Sequence, residues 1–314
     1  MTDKERYEQF CSEQNDMPLF MQAWWMESVC AGKQWEVMLW EDEEGKIAAA
    51  MPYLYRKRLW MRYILMPQQT QTGGIWLRED KREDTTFLQK VADEAVAHLK
   101  ELHLSYYYQQ FTVGSPMPAL MQERGFKVKE RLTYRINDLS DLDKVLASFS
   151  KNKRRQLQKA LTLHADTVMD TEQFYRFHDK CLKERGKTIT YTREFLMVLA
   201  IKASRLGQCQ ILRITTVDGD TAAAAFLVWD KQRMYYLIPC YLPQYKDSGA
   251  GALLVWETLK LARQKGLQFD FEGSMIRGVA NHYKQFGSTP AKYYSVSKYY
   301  HPLFAIAVFF NRFR

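Results

Sequence analysis

This sequence has no paired cysteines. Its five cysteines, Cys11, Cys30, Cys181, Cys209 and Cys240, are odd in number, widely spread and form no Cys-x-x-Cys pair. Neither a disulfide framework nor a zinc ribbon is expected, and the usage fits a reducing cytoplasm. The six histidines show no ligand spacing, so no metal is expected. No apolar run reaches the roughly 20 residues that cross a bilayer. The opening MTDKERYEQF lacks the apolar core of a signal peptide, which also favours a cytoplasmic location. Acid is in deficit: 45 Lys and Arg against 36 Asp and Glu give a net charge of +9. An anionic partner is therefore expected, such as a nucleotide, a phosphorylated lipid carrier, tRNA or an acidic membrane surface. The basic run lacks interleaved aromatics and no RNA-binding module is recognisable, so specific DNA binding is not expected.

What is present is core-forming. A chain of 314 residues, 46% hydrophobic and 14% aromatic, is long for one core, and two domains are expected. Strands are read at Trp35 to Trp40, Ile47 to Tyr55, Trp60 to Met66, Leu104 to Phe111 and Lys127 to Ile136, with helices at 85–102 and 118–124. The basic Arg56-Lys57-Arg58 is read as the turn between the second and third strands. The same programme then repeats. Gln210 to Gly219, Thr221 to Trp229 and Met234 to Pro239 answer the first three strands, helix 252–265 answers helix 85–102, and Leu267 to Phe271 answers Leu104 to Tyr108. A repeat this long is a duplicated domain, not a solenoid. The expected fold is mixed α/β: two tandem domains, each a mostly antiparallel mixed sheet flanked by helices, over 1–140 and 141–300, with an apolar and basic tail at 301–314.

The most informative stretch is Lys246-Asp-Ser-Gly249-Ala250-Gly251, between a strand and a helix. A glycine-rich turn leaves backbone N–H groups unpartnered at a helix N-terminus and lets a phosphate approach them. Read without further context, the two glycines also fit a plain tight loop. In the first half, Gly73-Gly74 is separated from its helix by the charged stretch Arg78 to Asp84, which would not cradle a phosphate.

The turn resembles the Arg/Gln-x-x-Gly-x-Gly/Ala turn of the GNAT acyltransferase superfamily. With Phe269-Asp-Phe-Glu-Gly273, Tyr283-Lys284-x-x-Phe-Gly287 and Lys151-x-Lys-Arg-Arg155-x-Leu-x-Lys-Ala160, it resembles the Fem-type branch: the peptidoglycan-bridge aminoacyltransferases and FemAB-like N-acyltransferases. The resemblance implies two GNAT-like domains. Donor chemistry would lie in the second, and acceptor recognition in the groove between halves. It implies acyl-CoA or aminoacyl-tRNA as donor co-substrate, with no permanently bound cofactor, and an acceptor amine on an anionic or lipid-linked envelope precursor. The helical arm of longer relatives is missing between Leu163 and Phe174, which puts tRNA use in question.

Acyl transfer needs a proton acceptor and donors for a developing oxyanion. Asp270 and Glu272 point to one face of a strand. Either could take the proton; Glu272, next to Gly273, is preferred, and Asp270 reads equally as a structural acid. Lys284 resembles the family lysine near the transferred group, or is a surface lysine. Lys246, Gly249, Ala250 and Gly251 would hold the donor, helped by the backbone at Cys240 and Tyr241. The Cys240 thiol itself reads as inert. Lys153, Arg154, Arg155 and Tyr108 are candidate substrate contacts, the basic ones otherwise forming a solvated face. The tail Pro302 to Arg314 either packs on the protein or lies on the inner face of a membrane. The rival reading is a non-catalytic GNAT-like module that binds an anionic precursor or a membrane surface.

Overall fold

The computed structural model describes residues 1–14, 16–30, 34–273 and 275–301; the expected tail segment 302–314 lies outside them. In chain order the first elements are α1 (Asp3–Glu13), α2 (Ala23–Val29), β1 (Trp35–Glu41), β2 (Ile47–Arg58), β3 (Met61–Leu65), β4 (Trp76–Leu77), α3 (Thr85–Glu101), β5 (Tyr106–Gln110), α4 (Met117–Glu123) and β6 (Lys127–Ile136). There follow α5 (Leu142–Ser148), α6 (Lys151–Lys159), β7 (His164–Asp166), α7 (Thr171–Lys183), α8 (Arg193–Arg205), β8 (Cys209–Thr215), β9 (Thr221–Trp229) and β10 (Arg233–Tyr241). The chain continues with α9 (Ala250–Gln264), β11 (Gln268–Asp270), α10 (Arg277–Lys284) and β12 (Thr289–Tyr299).

The chain divides into two compact units, one of residues 1–131 with those from Lys292 onward, the other Leu132–Ala291. The divisions fall inside β6 and β12, whereas the sequence alone suggests bounds of 1–140 and 141–300. In the first unit β1, β2 and β3 are antiparallel neighbours, and β3 then pairs parallel to β5 through Tyr63↔Tyr106 and Ile64↔Tyr107. In the second, β8, β9 and β10 are antiparallel neighbours, and β10 pairs parallel to β11 through Arg233↔Gln268, Met234↔Phe269 and Tyr235↔Asp270. Each parallel pair is bridged by a helix, α3 or α9. The duplicated programme is thus a duplicated topology.

Each unit has its own core. In β9, Ala222 to Trp229 are all buried, so this strand is covered on both faces. Helix α9 sends Ala252, Val255, Leu259 and Ala262 into the core at spacings of three and four, while Leu253, Trp256 and Leu261 are only partly buried against it. Leu254 is buried with them, and the alanines share this face because a small side chain brings a helix backbone close to the sheet. In the first unit α3 buries Phe87, Leu88, Val91, Ala95 and Leu99 in the equivalent way. Burial of one such Leu contributes about 1.5–3 kcal/mol.

Two turns differ from expectation. Strand β2 runs on through Arg56, Lys57 and Arg58, and the reversal falls at Leu59-Trp60. Pro239 does not stop β10, which stays paired to β9 as far as Tyr241↔Ala223. A proline is tolerated there because its missing N–H is on the side that β9 does not use.

Candidate active site

The Gly249 turn is fixed from below. Gly249 has φ +87°, and an added Cβ would collide with the carbonyl of Gln156 in α6, so only glycine fits. Its carbonyl accepts from Ala252 N and Leu253 N, both at 2.9 Å, which starts α9. Ala250 is buried, and its N–H donates to Ser248 Oγ at 3.2 Å. The N-cap residue, Gly249, has no side chain to add a further cap. Among the described residues no acceptor takes the N–H of Gly249 or Gly251. Gly251 lies in the right-handed region, and a Cβ there would meet nothing within 4 Å. Neither backbone geometry nor protein packing requires glycine at 251. Lys246 is exposed on the approach to the turn.

Strands β10 and β11 part beside this turn. Their pairing ends at Tyr235↔Asp270, whereas β10 continues on β9 to Tyr241, with a one-residue bulge between Tyr235 and Ile238. The irregularity falls at Tyr236-Leu237, ahead of the Cys240 and Tyr241 backbone expected to help hold the donor. Leu242 N donates to Ala222 O at 3.1 Å, so by alternation Cys240 also faces β9 and Tyr241 turns its N–H and C=O the other way. The Tyr241 carbonyl accepts from Arg185 at 2.7 Å, and that guanidinium stacks on the Tyr241 ring. The Cys240 thiol is buried and donates to Ala224 O at 3.4 Å. Burial, then neighbouring Cys181, pushes its pKa well up, so it is no nucleophile.

The two acids of β11 and its exit have different surroundings. Asp270 is fully buried and its carboxylate is engaged on both oxygens. Oδ2 accepts from Arg135 Nε at 2.7 Å, and Oδ1 accepts from Thr133 Oγ1 and from Glu272 N at 2.8 Å. It clasps β11 to β6. Glu272 follows with φ +62°, an uncommon conformation for a non-glycine residue, and Gly273 with φ +66°. A Cβ at Gly273 would collide with the Leu132 carbonyl, so the turn is pressed onto β6. Burial, and then the charge of Asp270, raise the Glu272 carboxyl well above the ordinary range. Lys284 is exposed at the end of α10, its Nζ 5.9 Å from the Tyr134 ring centroid. Behind it Tyr283 stacks on Phe271 at 4.5 Å, and burial raises its phenol to about 12.

Helix α6 touches both regions. Its C-terminal turn backs Gly249, and its N-terminal turn carries Lys153, only 5% exposed. Lys153 Nζ lies 3.1 Å from Gln156 Oε1, 3.2 Å from His282 Nδ1 of α10 and 4.8 Å from the Phe286 ring centroid. Burial lowers its pKa to about 8, and burial with the Lys153 charge lowers that of His282 to about 4. While Lys153 is an ammonium it only donates, so His282 Nδ1 accepts and its proton sits on Nε2. Arg154 and Arg155 are exposed, bonded to Ala147 O at 3.4 Å and Asn152 Oδ1 at 3.3 Å. Of the basic run, then, one member points inward. Nothing in its sequence separates Lys153 from its neighbours, and His282 carries no signal in the histidine spacing. Tyr108 belongs to the first unit, where its hydroxyl accepts from Arg131 at 3.3 Å. Among the described residues no group of three His, Cys, Asp or Glu could hold a metal ion, and no helix is long and apolar enough to cross a membrane.

Comparison with known proteins agrees with this architecture. Residues 147–285 match the family profile of the acetyltransferase (GNAT) domain. Among solved structures the chain is similar to FemX, at a TM-score of 0.72 and 14% identity over 94% of this chain and 96% of that one. It is also similar to L-PGS from Bacillus licheniformis, at a TM-score of 0.54 and 14% identity over 94% and 91% of the two chains. A tandem GNAT protein from the clavulanic acid biosynthesis pathway superposes at a TM-score of 0.54 and 10% identity, over 95% of each chain. No curated protein matches the sequence.

Proposed function

We propose that this chain, which has the fold of the Fem-type branch of the GNAT superfamily, is an N-acyltransferase that uses its second unit for donor binding and chemistry. The observation that carries the reading is the N-terminus of α9. Its N-cap is Gly249, Ser248 Oγ takes only the Ala250 amide, the Gly249 and Gly251 amides have no acceptor among the described residues, and there is open space at Gly251. A phosphate of the donor, either acyl-CoA or aminoacyl-tRNA, would accept from those amides in the positive end of the helix dipole. Lys246 would add charge at the entrance.

The reactive carbonyl would then lie where β10 and β11 part. Attack by an amine nitrogen forms the new C–N bond, and negative charge develops on the carbonyl oxygen. The Tyr241 N–H, turned away from β9, and Lys284 would stabilise it. Collapse breaks the C–S bond of a thioester, releasing a thiolate, or the C–O bond of an aminoacyl ester, releasing a ribose oxygen that takes up a proton from water or from protonated Glu272. The amine's proton passes to Glu272, directly or through water. A carboxylate raised by burial suits this work, because it binds a proton more firmly than an exposed one. Asp270 would act through Glu272, by fixing its N–H and the end of β11. Lys153 would sense an anion beside α6, while Arg154 and Arg155 would contact the acceptor, an amine on an anionic or lipid-linked precursor at the inner face of the membrane.

Thermal unfolding with CoA, acetyl-CoA and aminoacyl-tRNA, each added separately, tests this. A ligand at about a hundred times its Kd stabilises by about 2.7 kcal/mol, a shift of a few degrees. A shift with one donor class and none with the other assigns the donor. A shift without turnover on any amine favours a binding module, and no shift with any of them contradicts the donor site.

A further inference from the structure

The β2–β3 hairpin of the first unit ends in a tip that its own turn chemistry does not explain. A two-residue reversal with a left-handed first position favours glycine, asparagine or aspartate. This one has Leu59 at φ +55°, followed by Trp60. Leucine is strained there, and both side chains stand in solvent, 78% and 56% exposed. The sequence therefore accepts a backbone cost and two exposed apolar groups at the outermost point of the hairpin.

The surroundings of the tip are basic. Arg56, Lys57, Arg58 and Arg62 flank it, and from Gly45 to Arg78 the chain contains no acidic residue. Register sets Lys57 directly opposite Arg62, a like-charge pair that weakens a ladder unless an anion lies between. Among the described residues Arg56, Lys57 and Arg62 make no ion pair. An aromatic band lies below. His301 packs edge-on against Trp60 at 5.0 Å, and Tyr299, 45% exposed, stacks on Tyr106 at 4.5 Å.

We propose that this tip is a docking element for an anionic lipid bilayer, with Leu59 and Trp60 entering the interface and the arginines and lysine engaging headgroup phosphates. Trp and Tyr favour the level of the headgroups, and long basic side chains reach phosphates while their stems stay in apolar surroundings. Leu59 decides for a bilayer over a nucleic acid, since an aliphatic tip gains nothing from a phosphate backbone. The inference does not depend on acyl transfer.

The test is co-sedimentation of the full-length protein with vesicles of phosphatidylcholine, and of phosphatidylcholine mixed with phosphatidylglycerol. Binding is expected to the mixed vesicles, weakening as salt is raised. The double variant Leu59→Gly/Trp60→Ser suits the turn better and should keep or raise the melting temperature while lowering binding by roughly tenfold or more. Lys57→Gln/Arg62→Gln should bring binding to mixed vesicles down towards the phosphatidylcholine level. Failure of the unaltered protein to bind mixed vesicles overturns the proposal, as does a tip variant that binds them undiminished. Variants that keep vesicle binding but lose retention of tRNA on filters would reassign the surface to nucleic acid.

Discussion

Helices α3 and α9 hold the same place in the two halves, each between an antiparallel hairpin and a parallel strand, yet their N-termini are capped differently. Asp84 caps α3, its carboxylate accepting from Phe87 N at 3.0 Å, so one orphan amide is answered and a negative charge sits where an anion would bind. The glycine of that half, Gly74, is pressed against the Phe111 ring. In α9 the cap is Gly249 and the space at Gly251 is open. One duplicated framework thus carries a helix end capped by a carboxylate and one capped by glycine, with Gly74 and Gly249 both held by packing and open space only at Gly251.

The comparison can be broken in several places. Glu272→Gln should lower kcat/KM by about 10²–10⁴-fold, the usual worth of a general base. The rise of rate with pH through the raised carboxyl pKa should vanish with it; an unchanged pH profile would remove Glu272 from proton transfer. Gly249→Val would force a side chain into the Gln156 carbonyl and a left-handed backbone, and should destabilise by about 3 kcal/mol or more, visible in urea unfolding.

Lys153→Met should act in the opposite direction. The lysine's folded value of about 8 lies below its ordinary 10.5, so between these pH values the unfolded chain holds more protons and stability rises with pH. Removing the buried charge should therefore stabilise by about 1–3 kcal/mol at pH 7 and flatten that rise, while weakening donor or substrate binding. Stability curves at pH 7 and above 10 check it. The smallest effect is expected from Asp84→Ala, a loss of about 1 kcal/mol with no change in donor binding, because α3 is no anion site.

Much of this contrast is legible in the sequence. Glycines beside a helix start in one half, and a charged stretch ending in Asp84 in the other, already separate the two N-termini. The bounds of β6 and β9 follow from alternation and from a buried run, and α9 from its helical period. What local pattern does not carry is who meets whom. The clasp on Asp270 comes from Thr133 and Arg135, far away in sequence, and the burial of Lys153 depends on His282 and Phe286. The tip at Leu59-Trp60 defeats the reading because turn propensity places the reversal on the neighbouring charges. The division inside β6 and β12 is invisible because a boundary within a continuous strand leaves no mark in composition.

The most direct measurement is donor affinity of Gly251→Val beside the unaltered protein, by calorimetry with acetyl-CoA and separately by filter binding with aminoacyl-tRNA. The substitution fills space that the protein leaves open and imposes no left-handed strain. The account predicts an unchanged melting temperature and affinity for the donor at least about tenfold weaker. Equal affinity in the two proteins would contradict it.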